Sequence, residues 1–346
     1  MKQKVFPWVV TILLSMPGIT LAEMDIRGVV HVSVDVTDDG SVSSATHDPD
    51  AIQVASHRSY LAFSGREELS GTVNLIWQYA AEFSADSGSL NDNSIDTQDS
   101  YIGLVGGIGA IKGGRLTMPY RQATDKLDIF SDTAADFNHI LGINPNSTVD
   151  HDLRASNVLA YESPGDKKIR GALAYMTDED QDGVNEPGLS LSALYDNQAL
   201  YITFAWQSLA KSGAGGQDDE ATKFGGSWNF GQGTKVGLIW ESLDAGGQNN
   251  DRDAYQFNIS HLSGNTTLKF AYTVADEAGG ISDTGASNLS LGLFYALSRT
   301  TEWYGLYTVT SNDPAAGYGL DVLANGAVGE DVSTFSFGLR HQFDNL

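Results

Sequence analysis

Residues 30–36 read VHVSVDV, so that four valines alternate with a histidine, a serine and an aspartate. Successive side chains of a β-strand point to opposite faces, and this period of two therefore predicts a strand with one apolar and one polar face. The same alternation returns at 73–79, 200–206, 255–260 and 267–274. Because it recurs along nearly the whole chain, the sequence predicts an all-β protein.

Working outward from this stretch identifies sixteen amphipathic segments. Their predicted bounds are 25–36, 54–64, 70–83, 99–106, 108–116, 153–163, 167–177, 188–196, 198–209, 220–230, 233–243, 251–262, 266–276, 286–298, 301–311 and 331–343.

The connections between these segments alternate in length. Short turns such as 164–166 and 263–265 alternate with long polar loops such as 37–53 and 84–98. An even number of up-and-down strands places every tight turn at one end and every long loop at the other, which is typical of outer-membrane barrels. A soluble β-sandwich is the alternative, but sixteen amphipathic strands would make an unusually large one. The pattern therefore predicts a 16-stranded antiparallel transmembrane β-barrel.

Composition excludes several classes of protein. The 346 residues contain no cysteine, which removes disulfide frameworks and cysteine-based metal or thiol chemistry. The chain has 44 acidic against 20 basic residues, a net charge of −24. Because nucleic-acid binders need a basic face to meet phosphates, we expect no nucleic-acid partner.

The N-terminus has the features of a secretory signal peptide. Lys2 and Lys4 precede a short apolar run at 5–16, and small residues at Thr20 and Ala22 suit a cleavage site. We therefore predict that residues 1–22 are removed after Ala22 and that 23–346 form the barrel. The alternative is a buried N-terminal strand or helix.

Four motifs carry a resemblance to a known family. They are SHRSYLAFSGREEL at 56–69, YIGL at 101–104, YALSRTT at 295–301 and FSFGLRHQF at 335–343. The mature chain resembles the general trimeric porins of Gram-negative bacteria over essentially its whole length. One departure is that three residues follow Phe343, whereas members of that family usually end on the final aromatic residue.

The resemblance implies a passive diffusion channel rather than an enzyme, in the outer membrane of a Gram-negative bacterium. It implies a homotrimer that contacts lipid and lipopolysaccharide, with a C-terminal strand that the barrel-assembly machinery reads. One alternative is a porin selective for a single class of solute. Another is an outer-membrane barrel enzyme, which would need a Ser/His/Asp cluster that the sequence does not show.

The longest connection, 117–152, is the third long loop. In the porin family this loop folds into the barrel and narrows it, and the resemblance implies the same inward-folded third loop here. Its predicted acidic residues at the constriction are Asp125, Asp128, Asp132 and Asp136. An acidic constriction predicts a weak preference for cations.

Basic residues are expected on the wall that faces this loop. Arginine on the lipid face costs about 2–4 kcal/mol at mid-membrane, so arginines in strands should point inward. The candidates, which match basic wall positions of the family, are Arg27, Arg58, Arg115 and Arg154. The alternative is that these arginines only tether the loop or solvate the lumen.

One acidic loop resembles a calcium site. Asp178, Asp180 and Asp182 precede Gly183 in a D-x-D-x-D-G pattern, but Leu189 occupies the twelfth position where an EF-hand has Glu. These residues are candidates for Ca²⁺ or Mg²⁺ bridging external loops, and the alternative is an ordinary acidic loop. We expect no other cofactor.

Overall fold

The computed structural model describes residues 23–40, 50–89, 98–143, 150–177, 187–210, 217–246, 251–321, 323 and 326–344. Its strands are β1 (Glu23–Asp38), β2 (Asp50–Ser56), β3 (Tyr60–Ser70), β4 (Val73–Glu82), β5 (Ser100–Gly106), β6 (Gly109–Thr117), β7 (Arg154–Glu162), β8 (Ile169–Met176), β9 (Gly188–Asp196), β10 (Leu200–Leu209), β11 (Asp219–Gly231), β12 (Thr234–Asp244), β13 (Arg252–Ser263), β14 (Thr266–Ala275), β15 (Ala286–Ala296), β16 (Thr301–Asn312) and β17 (Val332–Asp344). A short helix, α1 (Pro119–Gln122), and two 3₁₀ turns (Asp125–Leu127 and Phe137–His139) lie between β6 and β7.

The sheet closes on itself. From β3 to β17 each strand pairs antiparallel with the next, and β1 pairs with β17 from Arg27↔Asp344 to Asp38↔Ser333. Both β2 and β3 pair with β1, so they are two halves of one barrel strand. The protein is therefore a closed 16-stranded antiparallel β-barrel, and the fold class predicted from alternation is confirmed.

The second barrel strand differs most from its predicted bounds of 54–64. It is interrupted at His57–Ser59, where Arg58 has a left-handed backbone with φ of 50°. It also extends to Ser70, past the last alternating residue. Residues 66–70 are exposed on both faces, so no apolar band marks the strand there although its hydrogen bonds continue.

The two faces of the barrel wall differ in polarity. On β1 and β17, the side chains of Val34, Val36, Phe335 and Phe337 are between 46% and 60% exposed, while the residues that alternate with them are buried and polar. An apolar exterior around a polar interior is the arrangement that lipid requires of a membrane barrel. No helix among the described residues is long and apolar enough to cross a membrane.

Candidate pore constriction

The connection between β6 and β7 is hydrogen-bonded to the wall of the barrel. Pro119 occupies the first turn of α1, where its fixed φ suits a helix start. The next residue, Tyr120, is fully buried and donates its hydroxyl to Glu241 Oε2 at 2.9 Å. Further along, Asn258 Nδ2 donates to the backbone oxygen of Leu127 at 2.9 Å. Glu241 and Asn258 lie on the inner face of the wall, because they belong to the buried residues that alternate with the exposed apolar side chains of β12 and β13.

Apolar contacts support the same attachment. Leu127 is fully buried above Gly225 of β11, where an added Cβ would collide with the leucine side chain. Phe130 is 1% exposed and packs against Phe294 of β15, with 5.9 Å between ring centroids. Phe294 in turn stacks on Tyr304 of β16. The loop is therefore held by packing against β11, β15 and β16 as well as by hydrogen bonds.

A buried ionic network joins the second half of the loop to three strands. Glu241 Oε2 lies 3.2 Å from Lys223 Nζ, and Glu241 Oε1 lies 3.3 Å from Arg252 Nη2. Lys223 also pairs with Asp152 at the end of the loop, and the backbone N–H of Gly142 donates to Glu241 Oε1 at 2.8 Å. Burial raises the pKa of Asp152 to about 7, while the ammonium of Lys223 opposes the shift. Such charges are tolerated inside a protein only when each finds partners of this kind.

Sequence reasoning missed this network. Lys223, Glu241 and Arg252 lie on the inward-facing positions of their strands, and that parity was readable from the alternation. The alternation did not indicate that Asp152 and Gly142 of the loop would contact these three side chains.

The predicted acidic residues of the loop have different surroundings. Asp136 is buried and accepts hydrogen bonds from the backbone N–H groups of Asp132 and Asn138 at 3.0 and 2.9 Å. Asp128 accepts from the N–H of Phe130 at 2.9 Å. Asp125 is exposed at the start of a 3₁₀ turn. Two of the four therefore stabilise turns of the loop through their side chains.

Arg58 is the predicted wall residue that the structure brings to the acidic loop. Its Nε lies 3.7 Å from Asp132 Oδ1, and its Nη2 lies 3.6 Å from Asp321 Oδ1 in the connection between β16 and β17. Burial, together with the negative charge of Asp136, raises the pKa of Asp321 to about 7. The guanidinium thus lies between two carboxylates from two different loops.

The other three predicted arginines have other described partners. Arg154 Nε pairs with Asp99 Oδ1 at 2.8 Å, in the connection that leads into β5. Arg154 also lies 3.8 Å from Glu82 and donates to Thr117 Oγ1 at 3.2 Å. Arg27 contacts Gln78, and Arg115 donates to Ser156 at 3.3 Å. A common role of all four arginines in one constriction stays a prediction.

A cavity of about 210 Å³ lies between the loop and the wall. Asp128 and Asp132 line it from the loop, whereas Lys269 of β14, Glu302 of β16 and Arg340 of β17 line it from the wall. Sequence reasoning also missed these three wall residues, although all three occupy inward positions by parity. The cavity therefore brings charges of both signs together beside the loop.

Other predicted residues cannot be compared with the structure. Ala22 and the candidate calcium ligands Asp178, Asp180 and Asp182 lie outside the described residues. Within the described ranges, no group of three or more His, Cys, Asp or Glu side chains is arranged to hold a metal ion.

Comparisons with known proteins agree with the fold. The family model described as Gram-negative porin matches residues 9–315. Outer membrane porin protein 32 of Delftia acidovorans is 27% identical over 309 residues, which cover 82% of this chain and 84% of that protein.

Two solved structures show the same architecture. The anion-selective porin from Comamonas acidovorans superposes with a TM-score of 0.80 at 22% identity, covering 93% of this chain and all of that one. OmpT, an outer membrane protein of Vibrio cholerae, superposes with a TM-score of 0.69 at 14% identity, covering 93% of this chain and 98% of that one. With its closed barrel and its lipid-compatible exterior, the chain therefore belongs to the Gram-negative porin family and is a protein of the outer membrane.

Proposed function

We propose that this porin is a passive diffusion channel for ions and small hydrophilic solutes, with the connection between β6 and β7 as its constriction. The observation that carries the proposal is the charged cavity where Asp128 and Asp132 of the loop face Lys269 and Arg340 of the wall. A barrel of sixteen strands is wide enough to hold water along its axis, so what narrows it decides which solutes pass. The loop residues bonded to Glu241 and Asn258 hold that narrowing in place.

We propose a weak cation preference for the channel. Three carboxyl groups and two basic side chains line the cavity. Burial raises the pKa of Asp128 and Asp132, so the excess of negative charge is at most one. Acidic linings favour cations, but the close basic groups keep the preference small. The similar porin from Comamonas acidovorans is described as anion-selective, and its sequence identity of 22% does not carry selectivity over to this chain.

Further parts of the proposal concern the remaining predicted residues and the assembly. Asp125 and Asp136, with Arg27, Arg115 and Arg154, would shape the field along the pore. The mature protein would begin at Glu23 and form a homotrimer in contact with lipid and lipopolysaccharide, inserted by the barrel-assembly machinery. A trimer form of Vibrio cholerae OmpT supports the trimer.

Planar-bilayer recording of the refolded protein tests the proposal. We expect stepwise openings, and under a salt gradient a reversal potential that favours cations weakly. Asp132→Asn should move that potential toward anions. Asp166→Asn is the matched control, because Asp166 lies in an exposed turn and its side chain is 71% exposed. A folded barrel without conductance would refute the channel, and an anion-favouring potential would refute the predicted sign.

A further inference from the structure

The outer face of the barrel carries an apolar groove that crosses β13 to β17. Its volume is about 690 Å³, and Gly305 of β16 forms its floor between Trp303 and Tyr307 on the same face of that strand. Leu293 and Phe337 lie opposite Gly305 on the two adjacent strands. Because the side chains on this face are exposed and apolar, the groove opens toward lipid.

The missing side chain at position 305 creates the depression. An added Cβ there would meet only the ring of Phe337, at 3.3 Å. Aromatic pairs hold both sides of the groove, since Tyr307 packs on Phe335 with 4.5 Å between ring centroids and Trp303 packs on Tyr295 at 6.0 Å. The groove is therefore a shaped apolar surface of a kind that fits a hydrocarbon chain.

Basic residues lie at one end of this groove. The short turns of an outer-membrane barrel lie at its periplasmic end, and Arg299 is exposed in the short turn between β15 and β16. His261 and His341, near the same ends of β13 and β17, flank this turn and are also exposed. The segments 261–268, 295–301 and 341–343 contain no acidic residue, in a chain with 44 acidic residues. This end of the groove therefore favours an anion.

The basic groups have hydrogen-bond donors directed away from their neighbours. Among the residues that the structure describes, no ion pair involves Arg299. His341 is next to its turn, since the N–H of Gln342 donates to the backbone oxygen of Thr300 at 2.9 Å. His341 Nδ1 lies 2.9 Å from the hydroxyl of Thr301, and with that hydroxyl as donor the imidazole proton sits on Nε2. A guanidinium and an imidazole N–H are both donors that suit a phosphate.

A second apolar groove on the outer face lacks such an end. It crosses β10 to β14 around Gly226 and has a volume of about 720 Å³. The short turns at its periplasmic end are 197–199 and 231–233, which read NQA and GQG and carry no charge. The two grooves are similar in size and in apolar lining, and the basic end distinguishes the groove at Gly305.

We infer that the groove at Gly305 binds a phospholipid of the periplasmic leaflet. An acyl chain lies over Gly305 between Trp303 and Tyr307, and the phosphate contacts Arg299 and His341. A phospholipid satisfies both parts of this surface, because its hydrocarbon matches the lipid-facing groove and its phosphate complements the basic turn. The site lies on the outer face of the wall and does not depend on the proposed channel.

Native mass spectrometry of the refolded protein in a non-ionic detergent tests the inference. The probe is dioleoylphosphatidylglycerol, and dioleoylglycerol has the same chains without the phosphate. We expect saturable binding of one phosphatidylglycerol per chain. Dioleoylglycerol should need a concentration at least about tenfold higher for the same occupancy, because the charge-assisted hydrogen bonds to the phosphate are lost.

Two variants test the two parts of the site. Arg299→Gln removes the positive charge of the turn, and Gly305→Leu fills the groove. Each should raise the half-saturating concentration of phosphatidylglycerol about tenfold, through lost phosphate hydrogen bonds in the first and lost apolar contact in the second.

Matched controls exist for both changes. Lys167→Gln removes one positive charge from another short exposed turn, where the lysine side chain is 63% exposed. Gly226→Leu fills the second groove. Neither should change the half-saturating concentration. Circular dichroism of the β-sheet reports folding, and Arg299→Gln alone decides the matter if Gly305→Leu does not fold, because Arg299 is exposed in a turn.

The outcomes distinguish the occupants of the groove. Equal binding of phosphatidylglycerol and dioleoylglycerol would overturn the phospholipid site, as would Arg299→Gln behaving like Lys167→Gln. Altered subunit association of Gly305→Leu with unchanged lipid binding would assign the groove to a second copy of this chain and overturn the lipid. Bilayer conductance should be the same in all four variants, so the proposed channel is tested separately.

Discussion

Replacing Glu241 by glutamine should loosen the constriction loop and destabilise the barrel. The carboxylate is fully buried and accepts hydrogen bonds from the hydroxyl of Tyr120, near the start of the loop, and from the N–H of Gly142, in its second half. It also lies within 3.3 Å of Lys223 and Arg252. Glutamine keeps the shape and one acceptor oxygen but brings an amide NH₂ among four donors.

The size of the effect follows from the buried charges. Removing one partner of a buried ionic network costs about 3–5 kcal/mol, because the remaining charges lose their compensation. A cost of about 3 kcal/mol corresponds to more than about a hundredfold in the folding equilibrium constant. Lys223 keeps Asp152 as a partner in the variant, which places the expected value at the lower end of the range.

Two assays read the two consequences. Urea unfolding of the refolded protein, followed by tryptophan fluorescence, gives the free energy of unfolding. Single-channel recording gives the open-channel current noise, which should rise because two separate parts of the loop lose a charged acceptor. Glu220→Gln is the matched control, since Glu220 is exposed on β11. If Glu241→Gln and Glu220→Gln behaved alike in both assays, the network would not hold the loop.

Three further predictions concern the same region. Arg58→Gln should shift the reversal potential toward cations, because Asp132 and Asp321 lose their shared guanidinium; a shift toward anions would contradict this pairing. The cation preference should fall as the pH drops from about 8 to 6, since Asp321, with a pKa of about 7, becomes neutral. Asp321→Asn should weaken that dependence in reversal-potential measurements, and an unchanged dependence would contradict the assignment. Leu127→Ala should lower the free energy of unfolding by about 2–5 kcal/mol in urea titration, because removal of a fully buried leucine side chain leaves a cavity. A loss no larger than that caused by substituting an exposed residue would show that Leu127 does not pack against the wall.

The strands were predictable because their determinants are local. Side chains alternate on a strand whatever its neighbours are, and lipid outside with water inside forces apolar and polar residues onto opposite faces. The segment 188–196 accordingly has the same bounds in the structure as in the prediction. Prediction was poorest at the second barrel strand, where residues 66–70 are exposed on both faces and the alternation disappears.

The site was less predictable, because its contacts join distant parts of the chain. Parity alone placed Lys223, Glu241 and Arg252 on the inner face, but Tyr120 meets Glu241 across 121 positions of sequence. The acidic loop was singled out by its length and charge, and the structure shows that Asp136 caps a turn of the loop itself. Such contacts depend on the path of the loop. The loop has no periodic secondary structure, so no repeating sequence pattern predicts its path.

The sequence by itself thus determined the number of strands, which face of each meets lipid, and the connection long enough to reach the wall. Only the tertiary structure decided which charges meet: Arg58 with Asp132, Lys223 with Asp152, and Lys269 with the ring of Phe294. The physical reason is that the face on which a strand residue lies follows from local alternation, with lipid on one side of the wall and water on the other. A charge pair instead requires barrel closure and a loop path that together bring remote residues within a few ångströms.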